Sequence, residues 1–128
     1  MGLTSKPIVD IVGTPSGRGY RLVTSEGEVF TFGDAGFLGH LKGTTLNAPV
    51  AGMDATQDGL GYRMIGQDGG VFNFGNATVE GAAPKPARYK HQDGSENVYT
   101  SIEMHPTEPR KYWLTLWNGA VTAFNASL

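Results

Sequence analysis

An all-β architecture of repeated antiparallel units is what this sequence predicts, on three observations. The stretch Gly19-Tyr-Arg-Leu-Val-Thr-Ser-Glu-Gly-Glu-Val-Phe-Thr-Phe-Gly-Asp-Ala35 returns about forty residues later as Gly61-Tyr-Arg-Met-Ile-Gly-Gln-Asp-Gly-Gly-Val-Phe-Asn-Phe-Gly-Asn-Ala77. A worn third copy follows as Lys111-Tyr-Trp-Leu-Thr-Leu-Trp-Asn-Gly-Ala-Val-Thr-Ala-Phe-Asn-Ala-Ser127. The apolar runs inside each copy are short and end on glycine, and no stretch has helical periodicity. With 19 glycines and 7 prolines, any long helix would be interrupted.

The elements of one unit follow in order. Pro7-Ile-Val-Asp-Ile-Val-Gly-Thr14 is a β-rich run, and Pro15-Ser-Gly-Arg-Gly19 supplies a turn. Tyr20-Arg-Leu-Val-Thr24 is a second run, ended by Ser25-Glu-Gly27, whose glycine can take the positive φ of a tight hairpin. Glu28-Val-Phe-Thr-Phe32 is a third, stopped by Gly33-Asp34. Residues 35–41 are apolar enough for a short outer strand or a packed loop, and residues 42–48 lead to the next unit. Three or four antiparallel strands over about forty residues is the size of one β-propeller blade. The expected units are residues 7–48, 49–98 and 99–128, with an insertion at residues 78–97 that is rich in proline and charge.

Aligned positions keep their residue class. Tyr20, Tyr62 and Tyr112 correspond, as do Leu22, Met64 and Leu114, Val29, Val71 and Val121, and Phe32, Phe74 and Phe124. Such positions are expected to form the contact between units, since Phe and Val are interior residues. The third unit reaches Leu128 directly after its third run, so its outer edge reads as short of a strand. Propellers close with four to eight blades, and exposed terminal faces invite association. The expectation is therefore a homo-oligomer, with a dimer giving six blades as the simplest closure and residues 1–6 of a partner adding the edge strand.

Composition excludes several classes. Charged residues are 17% of the chain and the formal net charge is -2, so no cationic field exists to attract nucleic acid. No run is long and apolar enough for membrane insertion, and the N-terminus lacks the pattern of a signal peptide. Without cysteine there is no disulfide and no thiolate metal site.

No catalytic constellation is present, so no enzyme and no cofactor are expected. His40, His91 and His105 lack ligand spacing, which leaves no metal site. Ser16 and Ser25 sit in turns without a nucleophile elbow. Asp34 corresponds to Asn76, which argues against paired carboxylates, and Asp58 and Asp68 read as turn formers.

The copies at Gly19 and Gly61, joined through Leu46-Asn-Ala-Pro-Val50, resemble a tandem repeat of actinobacterial proteins and their bacteriophages. Its pattern runs Gly-Tyr-Trp-Leu-Val-Ala-Ser-Asp-Gly-Gly-Val-Phe-Xaa-Phe-Gly-Asp-Ala. Residues 29–40 are also similar to the blade motif of the chromosome-condensation-regulator propellers. The resemblance implies propeller-like modules in extracellular, wall-associated and virion proteins. Two departures stand out: Arg21 and Arg63 replace the pattern's Trp, which returns only as Trp113, and Asn125-Ala-Ser127 replaces Gly-Asp-Ala.

The resemblance implies a structural or accessory protein of a phage virion, in the head decoration or the tail, with other virion proteins as partners. Its location is then the particle, reached from the host cytoplasm without a secretory signal. The alternative is a lectin-like module that binds host-surface or cell-wall glycans, with Tyr112, Trp113 and Trp117 as the aromatic candidates.

Overall fold

The computed structural model describes residues 5–83 and 97–127, which hold nine strands and no helix. The strands are β1 (Ile8–Gly13), β2 (Gly19–Thr24), β3 (Val29–Gly33), β4 (Val50–Ala55), β5 (Gly61–Gly66), β6 (Val71–Gly75), β7 (Tyr99–Met104), β8 (Tyr112–Leu116) and β9 (Val121–Phe124). They form three separate three-stranded antiparallel sheets, in the orders β1-β2-β3, β4-β5-β6 and β7-β8-β9. The predicted blade-like repeat is the observed one.

Register repeats as closely as sequence does. Tyr20 pairs with Phe32, Tyr62 with Phe74 and Tyr112 with Phe124. The first strand of each unit carries an irregularity at the same place, between Ile8 and Asp10, Val50 and Gly52, and Tyr99 and Ser101. One extra residue on that strand sharpens its local twist. The three sheets approach one another through their first strands, β1 against β4 and β4 against β7.

The described residues form two apolar cores, and each lies between units. Val23, Val29 and Leu41 of the first unit meet Val50, Met53, Tyr62 and Met64 of the second. Ile65 and Ala83 of the second meet Tyr99, Ile102, Met104, Tyr112 and Leu114 of the third. Each sheet is thus covered by a neighbour, which is the energetic logic of a repeat protein.

Residues 35–41 form a packed loop. Leu38 and Leu41 lie in the first core, and the Leu41 amide bonds to the Gly27 carbonyl. No unit has a fourth strand among the described residues, so the third unit is not short of one relative to its siblings. That removes the reason for a partner's N-terminal segment to supply an edge strand; residues 1–4 lie outside the described residues, as does most of the 78–97 insertion, with His91.

Candidate functional site

The repeated chemistry of this molecule is at its seams. In β5 every residue is buried, because alternate side chains point into different neighbours: Tyr62 and Met64 toward the first unit, Arg63 and Ile65 toward the third. Arg21 and Arg63 occupy the same position in β2 and β5, and both are buried. A buried guanidinium demands partners for its donors. Arg63 donates from Nε to Asn73 Oδ1 at 2.8 Å, from Nη2 to the Thr78 carbonyl at 2.8 Å, and from Nη1 to the Pro109 carbonyl of the third unit at 2.6 Å. Its Cζ stands 4.5 Å from the centroid of the Tyr112 ring, a cation–π arrangement. Burial pulls the Arg63 pKa down, opposed by Tyr112 and Glu80.

Arg21 repeats the design one seam earlier with fewer bonds. Nε donates to the Gly36 carbonyl at 2.9 Å and Nη2 to the Gly59 carbonyl of the second unit at 3.0 Å, while Cζ lies 5.1 Å from the Tyr62 ring. Its Nη1 has no partner among the described residues. The Tyr62 hydroxyl donates back to the Gly39 carbonyl and accepts from the Leu38 amide. Burial raises the pKa of both Tyr62 and Tyr112.

Carboxylates provide a second set of stitches. Asp10 accepts from the Met53 amide at 3.1 Å and Asp54 from the Met104 amide at 2.7 Å, tying β1 to β4 and β4 to β7. Burial is the main cause of the raised Asp54 pKa, and Asp10 adds to it. Glu103, on β7, is raised by partial burial first and by the charges of Asp54 and Asp10 next. At the outer rim Glu80 binds Arg110 at 3.2 Å, accepts from Thr78 Oγ1 at 2.5 Å and from Asn125 Nδ2 at 2.9 Å; these bonds hold its pKa down at about 2.

Asn125 explains how the third unit manages without the glycine of its siblings. Gly33 and Gly75 both have φ +65, and Asn125 at the corresponding turn has φ 55. Glycine takes this region freely and Asn tolerates it best among the others. The Asn125 side chain then donates to the Arg110 carbonyl at 2.9 Å.

The three aromatic candidates do not share one surface. Tyr112 is fully buried, stacked on Phe124 with centroids 4.7 Å apart and capped by Arg63, so neither ring face is open to a sugar. Trp113 points the other way along β8, to the outer side of the third unit. It is stacked with His105 at 5.7 Å and donates its indole N–H to the Ser127 carbonyl at 2.9 Å. Trp117, beyond the end of β8, is 51% exposed. Asp34 and Asp58 anchor turns: hydrogen bonds from Ser16 and then Thr14 lower the Asp34 pKa, and the Thr56 hydroxyl does most to lower that of Asp58.

Sequence reading missed the roles of Arg21, Arg63, Asp10 and Asp54. The signal for the arginines was present: a charged residue held at one place between apolar neighbours in two copies. Among the described residues no group of three or more His, Asp or Glu is placed to hold a metal ion. No protein-family model and no curated protein matches this chain.

Proposed function

We propose that this protein is a non-enzymatic, self-assembling structural or accessory component of a bacteriophage virion, in the head decoration or the tail. One observation supports the assembly half of this reading above the others: both cores lie between units, while the two outermost sheet faces carry residues of the same kind as the buried seams. An architecture whose stability comes from neighbour contacts suits a scaffold that extends by adding neighbours. The virion half is supported by the repeat resemblance of residues 7–77. Mass spectrometry of purified particles tests it: the chain is expected as a stoichiometric component, and its absence rejects the role.

Glycan binding is the second reading, and the half-exposed Trp117 is the feature that favours it. Exposed Trp rings stack on sugars, and many copies on one particle would multiply weak adhesion. A glycan array with W117A as control tests it; no retention of the wild-type chain removes it.

A further inference from the structure

We propose that the two end faces of this molecule are the halves of one unmade seam, and that a second copy of the chain completes it. The third unit of each copy packs on the first unit of the other, with Trp113 lying over the partner's Tyr20. This rests on the assembly half of the reading above and is independent of the virion half.

The two interior seams define the rule. The second residue of the aligned Gly-Tyr-Arg or Lys-Tyr-Trp segment receives, and the third gives. Arg21 gives to Tyr62 and Arg63 gives to Tyr112. Only Tyr20 lacks a giver and only Trp113 lacks a receiver among the described residues. Tyr20 is already arranged to receive: it stacks on Phe32 at 4.8 Å, as Tyr112 stacks on Phe124, yet it is 39% exposed where its two counterparts are buried.

The residues around it repeat the pattern. Ile8 and Ile11 occupy the register positions of Val50 and Met53, which are 1% and 2% exposed in the first seam, but they stand 43% and 61% exposed. Leu22 and Phe30 stand where Met64 and Phe72 do, and are half-buried. On the giving side Val121, at the position of the buried Val29, is 42% exposed. Soluble proteins seldom leave such clustered apolar residues open on two faces without a use for them.

The change from Arg to Trp suits a seam made between chains. A guanidinium at this position must donate to carbonyls of the next unit, as Arg21 does to Gly59 and Arg63 to Pro109. Before assembly those acceptors would be missing. The Trp113 N–H already has its acceptor inside its own unit, in Ser127, and His105 stacks on the ring, so only the ring's remaining surface is left to be covered. The contact is heterologous, giving face to receiving face, and closes only if rotation returns the array on itself. Two copies make six units, inside the range in which propellers close, whereas three copies make nine and fall outside it.

Light scattering of the pure chain gives the test. The expected mass is twice 13.6 kDa, independent of concentration over a wide range. W113E on the giving face and I11E on the receiving face are each expected to reduce it to the single-chain mass, with the far-ultraviolet β spectrum unchanged. Because the chain has no cysteine, Y20C and W113C chains can also be mixed and joined with a short bismaleimide. The mixture is expected to give a covalent dimer, and each variant alone is not. A wild-type monomer overturns the proposal, as does a larger or polydisperse mass, a dimer that survives both charge substitutions, or cross-linking of either cysteine variant with itself. Particle composition is read separately by mass spectrometry, so the assembly and virion readings fail independently.

Discussion

The guanidinium of Arg63 and the ring of Tyr112 face each other across the second seam at 4.5 Å, one from each unit and both fully buried. The contact couples strand alternation in β5 to the docking of the third sheet, because Arg63 and Ile65, which alternate with Tyr62 and Met64, point that way. It also sets an order of importance between the two arginines.

Arg63→Ala removes three strong donor bonds and leaves the Thr78 and Pro109 carbonyls without their partner. It is expected to cost roughly 3 kcal/mol or more in urea unfolding. Arg21→Ala removes two such bonds and an Nη1 that lacks a partner among the described residues, so its cost is expected to be clearly smaller. Equal losses would contradict this account.

Gly75→Ala places a Cβ against the Leu60 carbonyl at a φ that side chains rarely adopt, with Leu38 Cδ1 only 2.9 Å away. A loss of about 2–4 kcal/mol is expected. Asn125→Gly at the matching turn relaxes the backbone but gives up hydrogen bonds to Glu80 and Arg110, for a loss of about 1 kcal/mol. Thermal melts of the two variants should rank them in that order.

Glu80 has a folded pKa lowered from 4.5 to about 2. A lowered carboxylate pKa gives stability that is fully present above 4.5 and is lost as pH falls through about 2. Glu80→Gln should therefore melt below the wild type at pH 7. The gap is expected to close as the titration approaches pH 2, and a gap constant with pH would show that the charge is not responsible.

Glu103 shifts in the opposite sense. Its pKa is raised from 4.5, so the ionised form is disfavoured by folding: stability from this group is present below 4.5 and is lost as pH rises through the raised value. Glu103→Gln should accordingly melt above the wild type at neutral pH, with the advantage shrinking on acidification toward 4.5. A variant that melts below the wild type at pH 7 would mean that the Glu103 carboxylate has a favourable partner.

The fold was legible because Tyr, Leu or Met, Val and Phe recur at fixed spacing, and spacing is what register reads: the aligned Tyr and Phe are cross-strand partners in all three sheets. The seams were less legible. Arg21 and Arg63 look like surface residues to any rule that sorts side chains by polarity, and only coordinates show the carbonyls that make their burial tolerable. The departure at Asn125 was visible in the sequence but its reason was not, since Asn125 performs a backbone task that its siblings give to glycine. Tyr112 was readable as packing from its alignment with Tyr62, and the structure places it there.

The middle sheet takes part in both cores, with Tyr62 and Met64 in one and Ile65 in the other. Melting it strips the cover from both neighbours at once, so no single module has an independent existence and cooperativity spreads outward from the centre. Amide exchange should accordingly be slowest along β5, and a protease able to open that hairpin would release the whole chain to digestion instead of trimming it from an end.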